Sequence, residues 1–226
     1  MVTSHVLTWE VTGSQGYETS WIELRGTTLQ ARGRAVGTRP EVYWISYELD
    51  TDEDFVTREL HVRAATAHGS HELRLLHDGS GRWTADGKQL PEMDGALDCD
   101  LGLCPLTNTM PVLRHGLHLA PGERTFLMAW VSVPDLTVHA SRQTYTHLGR
   151  TDTGALVRFA SGDFRSDVEF DAEGLVIDYP GLAHRMSARS CPVDQAGSGS
   201  GVWRGASQAG GWGSPRRRQG ESPRGA

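Results

Sequence analysis

The chain has 226 residues, with 27 glycines, 10 prolines and a formal net charge of −6. That length allows one large or two small domains. The residues from 189 onward carry six arginines against Asp194 and Glu221. They are about +4 and the rest about −10, which argues against nucleic acid or an anionic membrane as partner of the folded part.

The N-terminal MVTSHVLTWEV lacks a basic and an apolar region, so no secretory signal is expected. No window approaches the ~18 apolar residues of a membrane span. Val6 to Val11, Glu18 to Leu24 and Thr27 to Val36 read as strands, with Gly33 suggesting a bulge or bend in the third. Val42 to Leu49 (VYWISYEL) is aromatic and β-branched on both faces, as suits a pleated, half-buried surface. Asp50, Asp52, Glu53 and Asp54 form an acidic turn. Its D-x-D-x-D spacing fails as a calcium loop, because Phe55 stands for the required glycine and His61 for the bidentate glutamate. Phe55 to Ala67 and His71 to His77 read as a hairpin about Gly69. The turn at 78–81 then leads into Arg82-Trp83-Thr84.

The stretch from Asp94 to Leu119 breaks this rhythm. An alternating segment holds Asp98 and Asp100 on one parity and Leu97, Cys99 and Leu101 on the other. The two carboxylates would lie ~7 Å apart on one strand face, either facing water or serving as an acid/base pair with a nearby histidine. The polar loop Pro105 to Pro111 (PLTNTMP) is expected to be rigid, with prolines fixing φ at its ends and Asn108 and its threonines bonding the backbone. The apolar segment Pro111 to Leu119 reads as a strand carrying Arg114, which must be paired if it points inward. Cys99 and Cys104 lack the second pair that would close a zinc site, and an odd cysteine count suits a reduced, cytoplasmic protein.

Thr125 to Val133 is apolar on both faces and is expected to be covered on both. Leu136 to Leu148 places Gln143, Tyr145 and His147 on one parity. Ala155 to Ala160 follows, and Phe164 to Asp171 alternates as a strand with one dry face. Leu175 to Tyr179 and Leu182 to Met186 end the folded part. No convincing helical period appears, so the chain is all-β, an antiparallel sheet that must curl or close on itself. Residues 1–188 form one domain. The Gly/Ser/Arg-rich 189–226, including Cys191, cannot bury enough apolar surface to order itself and reads as a disordered tail.

No G-x-S-x-G, H-E-x-x-H or metal-ligand spacing is found, so neither catalytic residues, a metal nor a cofactor is assigned. Trp83, Gln143 and Tyr145 combine aromatic faces with hydrogen-bonding groups, which suits a sugar or lipid headgroup.

One pattern joins these segments. It comprises Asp94-Gly95, Asp98-Cys99-Asp100, the loop Pro105-Leu106-Thr107-Asn108-Thr109-Met110-Pro111, Arg114, Pro134, Gln143-x-Tyr145, Phe164-Arg165 and Gly174-Leu175-Val176-x-Asp178-Tyr179-Pro180-Gly181-Leu182-x-x-Arg185. It resembles the bacterial putative glycolipid-binding family, once catalogued as a domain of unknown function, over Leu7 to Met186. The chain departs from that pattern at Leu106, where an aromatic residue is expected, and in its added tail. The resemblance implies a single, highly curved antiparallel sheet rolled into a spiral β-roll or half-barrel, and a glycolipid or similar amphiphile as ligand. It supplies no catalytic residues. The matching polar positions Asn108, Arg114, Gln143, Tyr145, Tyr179 and Arg185, with Trp83, are the candidate ligand contacts. Trp44, Met128 and Trp130 are expected to line a concave trough. The competing expectations are an enzyme using Asp98 or Asp100, and a ligand-free module that buries its concave face in an oligomer.

Overall fold

A computed structural model describes residues 2–187; the tail expected over 189–226 lies outside them. The strands are β1 (Val2–Val11), β2 (Gly16–Arg25), β3 (Thr28–Gly37), β4 (Tyr43–Thr51), β5 (Thr57–Thr66), β6 (Gly69–His77), β7 (Trp83–Ala85) and β8 (Lys88–Gln89). After these come β9 (Asp98–Leu101), β10 (Glu123–Val131), β11 (Val138–Arg150), β12 (Gly154–Ser161), β13 (Phe164–Asp171), β14 (Val176–Tyr179) and β15 (Ala183–Arg185). They form one 15-stranded sheet in the order β8 to β1, then β15 down to β9. The chain thus starts in the middle of the sheet and lays hairpins outward on both sides. The sheet is antiparallel apart from one pair, β9 with β10, which run parallel and depart from the all-antiparallel expectation.

A sheet this wide must curl to bury one face. Its two ends do not join; instead the β9 edge tucks inside, under β5. Thr57 N–H donates to Leu97 O at 3.0 Å, and Cys99 N–H donates to Thr57 Oγ1 at 3.1 Å. Unpaired edge groups that would invite aggregation are thereby covered. The result is an open, inward-rolled half-barrel. Its inner face, with Trp9, Ile22, Tyr47, Leu60 and Leu75, packs on Met93, Cys99, Leu101, Leu106 and Met110 of the central segment. The concave side expected to be a trough is therefore filled by the chain's own residues.

Pro105 to Leu119 is not a loop followed by a strand. It forms a 3-10 turn, Pro105–Asn108, and then a short helix, α1 (Thr109–Arg114). Pro105 opens the first and Pro111 lies in the first turn of the second, positions whose N–H groups have no helical partner. The prolines thus start helical turns rather than bracket a loop. Gly116, at φ +58, ends the helix. Its N–H reaches Leu113 O at 3.1 Å, and Leu117 N–H reaches Val112 O at 3.0 Å. This is the paired-bond helix stop that favours a left-handed glycine.

Gly33 is not a bulge, since β3 pairs in unbroken register with both neighbours. A Cβ there would lie 2.3 Å from the Tyr47 ring. The glycine is required by close approach. Trp44, expected to line the trough, points outward and is 51% exposed. Its strand sends Tyr43, Ile45, Tyr47 and Leu49 inward instead. Met128 is fully buried rather than facing a ligand space.

Candidate functional site

β9 brings the site together because it is covered on both faces: every residue from Asp98 to Leu101 is buried. Cys99 and Leu101 point into the packed interior. Asp98 and Asp100 point the other way, and neither faces bulk water.

Asp98 meets Arg114 in a two-pronged ion pair, with side chains 1% and 7% exposed. Arg114 Nη1 donates to Asp98 Oδ2 at 2.7 Å and Nη2 to Oδ1. The remaining donors run backward to the acidic turn: Nε to Asp54 O at 2.7 Å and Nη2 to Phe55 O at 2.9 Å. Asp54 and Phe55 hold left-handed φ of 58 and 57, which explains the unusual backbone there: it presents two carbonyls to one guanidinium. Burial raises the Asp98 pKa above its ordinary value, opposed by the hydrogen bonds and charge of Arg114.

Asp100 anchors a second, continuous network. Gln143 Nε2 donates to Asp100 Oδ2 at 2.6 Å, and Thr107 Oγ1 to Oδ1 at 3.0 Å. The Tyr145 hydroxyl lies 2.9 Å from Asn108 Oδ1 and 3.1 Å from Gln143 Oε1, one proton between two carbonyl acceptors. Burial raises the pKa of Asp100, with the same hydrogen bonds opposing it. The Tyr145 hydroxyl is pushed up by burial and then by the Asp100 charge.

Of these groups, Asp100, Asn108 and Gln143 line a cleft of about 340 Å³. Strands β9 to β12 supply Asp100, Trp130, Ser141, Gln143, Phe159 and Ser161, and β14 supplies Tyr179. The opposite wall is the 102–104 turn, Asn108 and Leu182. The backbone at Gly102 runs close to β10: a Cβ there would sit 3.0 Å from Val131 O and touch the Trp130 indole at 3.4 Å, an ordinary contact. The Tyr179 ring lies 5.8 Å from that of Phe159, tilted at 55°, and its hydroxyl has no hydrogen-bond partner among the described residues. Its pKa is raised by burial and then by the Asp100 charge. Among the described residues no histidine lines the cleft.

Of the residues singled out from sequence, Asn108, Gln143, Tyr145 and Tyr179 meet here, with Trp130 on the wall. Arg114 braces the neighbouring carboxylate. Arg185 lies elsewhere, donating to Asp171 Oδ2 at 2.7 Å and Val176 O at 2.8 Å. Trp83 lies at the far side of the sheet, its indole N–H on Ala96 O at 2.9 Å and its ring 4.7 Å from His77.

Sequence reasoning missed Phe159, Ser141, Ser161 and a third buried acid, Glu18. Its Oε1 accepts from Tyr47 at 2.6 Å, Ser20 at 2.8 Å and the Cys104 thiol at 3.1 Å, whereas Oε2 has no partner among the described residues. Burial is the main cause that raises its pKa. Cys104 itself lines the cleft. Cys99 is a buried free thiol whose pKa is pushed up to about 12 by burial. The sequence signal for Phe159 was the alternation of β12, whose Phe159 lies opposite Tyr145 in register.

Among the described residues no helix is long and apolar enough to cross a membrane. A sequence family described as "Putative glycolipid-binding" matches residues 6–185. The crystal structure of a DUF1089 family protein from Pseudomonas aeruginosa is similar, with a TM-score of 0.63 and 32% identity, over 75% of this chain and 92% of that one. No curated protein matches the chain.

Proposed function

The chain belongs to the putative glycolipid-binding family, and from that premise we propose that its cleft binds the sugar headgroup of a glycolipid, without chemical change to it. The observation that carries this reading is the pairing of aromatic faces with fixed polar groups around one small space. Trp130, Phe159 and Tyr179 offer flat apolar surfaces; Asp100, Gln143 and Asn108 offer hydrogen-bonding groups tied together directly and through the Tyr145 hydroxyl, and the Tyr179 hydroxyl stands unpaired beside them. A sugar ring has apolar C–H faces and a rim of hydroxyls, and needs both.

The volume, about 340 Å³, is at the low end of small-molecule sites. It suits a sugar ring and its first carbons, while the inner face of the sheet is already occupied by the central segment. Acyl chains would lie outside the roll. The neighbouring Asp98–Arg114 pair supports the reading as a brace: it holds β9 so that Asp100 keeps its place.

Native mass spectrometry of the purified full chain, followed by lipid extraction, tests this. A copurifying sugar-bearing amphiphile is expected. Absence of any such species, together with an unchanged melting temperature in every alkyl glycoside tried, would overturn it.

A further inference from the structure

The outward face of β2 to β5 is graded along the strands, in cross-strand rows given by the register. Tyr17, Val36, Trp44 and Ala65 form one row. Tyr17, Val36 and Trp44 are 49%, 52% and 51% exposed, and Val42 stands exposed beside them. The next row is Thr19, Arg34, Ser46 and Arg63, and the next Trp21, Arg32, Glu48 and His61. The last is acidic: Glu23, Gln30, Asp50 and Glu59. Apolar side chains thus give way to cations and then to carboxylates.

Between the middle rows lies a surface hollow of about 500 Å³, walled by Trp21, Arg32, Arg34 and Arg63 around Ser46, with Glu48 and His61 also on its lining. Arg63 is paired with Glu72, but Arg32 and Arg34 have no carboxylate within 4 Å among the described residues. The acidic balance of the whole chain therefore does not describe this face. Carboxylates dominate only its last row, although Glu48 stands across from Arg32 and Glu10 across from Tyr17.

We propose that this face docks on a lipid bilayer, with the Tyr17–Trp44 row in the interfacial layer and Arg32, Arg34 and Arg63 on lipid phosphates. Tyr and Trp favour that layer because one end of each ring is apolar and the other polar. Arginine beside them is attracted to anionic headgroups. A second copy of the chain is a poorer occupant, since a stable interface needs about 800 Å² per partner, more than a single row of side chains presents. The docking face and the cleft share one end of the roll. The turn between β1 and β2 touches both: a Cβ on Gly13 would meet Leu103 and Leu182 of the cleft, and Gln15 borders the Trp44 row. A headgroup in the cleft would thus come from the same membrane that the apolar row touches.

The test is sedimentation of the full chain with vesicles of phosphatidylcholine, with and without phosphatidylglycerol, all free of glycolipid. Binding is expected to be stronger with phosphatidylglycerol and to weaken with salt. Val36→Ser with Trp44→Ser should weaken it about tenfold or more. Arg34→Ser should weaken it about fivefold and flatten the salt dependence. Val36→Ser with Trp44→Ser should keep wild-type affinity for a soluble glycoside, so failure here and failure of the cleft reading are separable. The proposal is overturned if the chain does not bind vesicles, or if these exposed-site variants bind as well as wild type. It is equally overturned if light scattering shows a dimer that Val36→Ser with Trp44→Ser dissolves.

Discussion

Arg114, in the last turn of a short helix, and Asp98, on the tucked edge strand, meet through two parallel hydrogen bonds with both charges withdrawn from water. The same guanidinium also bonds the backbone of Asp54 and Phe55. One side chain therefore ties together the central helix, β9 and the turn before β5. Removing it would leave a carboxylate buried without its partner. Arg114→Met is expected to cost about 3–5 kcal/mol of stability. Arg114→Lys should recover little, because a single ammonium cannot reproduce the planar fork. Urea unfolding followed by circular dichroism measures both, and a loss within ~0.5 kcal/mol of zero would contradict the bracing role.

Gly33 and Tyr47 give a second expectation. Because a Cβ at Gly33 would strike the Tyr47 ring at 2.3 Å, Gly33→Ala should destabilise by about 1–3 kcal/mol through overpacking. Tyr47→Phe would keep the clash and lose the hydroxyl to Glu18. The double variant Gly33→Ala/Tyr47→Leu should therefore lose less than the two single costs added. Thermal unfolding of the four proteins checks this.

Glu18 sets a pH dependence whose sign can be worked out. Its folded pKa is raised by burial above the ordinary 4.5. The unfolded chain therefore gives up this proton first, and stability falls as pH rises from about 4.5 through the folded pKa. Glu18→Gln keeps an acceptor for Tyr47, Ser20 and Cys104 but cannot ionise. It should match wild type in acid and equal or exceed it at neutral pH. A melting-temperature difference between the two that does not change with pH would contradict this.

Tyr145→Phe removes the proton that Asn108 and Gln143 share. The cost is expected at about 1–2 kcal/mol, with the buried carbonyls left unpaired. Glycoside affinity should fall as well, because the Gln143 carbonyl then loses its tether. Parallel chemical denaturation and calorimetric titration separate the two effects.

Much of the roll was legible because strands announce themselves by alternation. Phe164 to Asp171 was read residue for residue as the strand it is. Parity was less secure where both faces are apolar. VYWISYEL offered Trp44 or Tyr47 as the inward residue, and the structure chooses Tyr47 because Glu18 and Ser20 are there to receive its hydroxyl. ETSWIEL hid Glu18 for the same reason: hydrophobicity would turn Trp21 inward, but its strand buries Glu18, Ser20 and Ile22. The helix at Thr109–Arg114 was concealed by prolines read as the fixed ends of a rigid loop, although Gly116 just past Arg114 was an available stop signal. The polar site was legible as residue types, and Asn108, Gln143, Tyr145 and Tyr179 do converge. Asp100 joins them only because β9 pairs parallel with β10, a long-range relation that no local pattern encodes.

Calorimetric titration of short-chain alkyl glycosides, kept below micelle formation, into wild type and Trp130→Ala tests the cleft most directly. An alkyl phosphocholine of equal chain length serves as the sugar-free control. Saturable binding of at least one glycoside is expected, with no heat from the phosphocholine. Loss of the Trp130 ring should weaken that binding about tenfold or more, with the melting temperature little changed. Equal binding of the sugar-free control, or a glycoside affinity untouched by Trp130→Ala, would contradict a sugar-holding cleft.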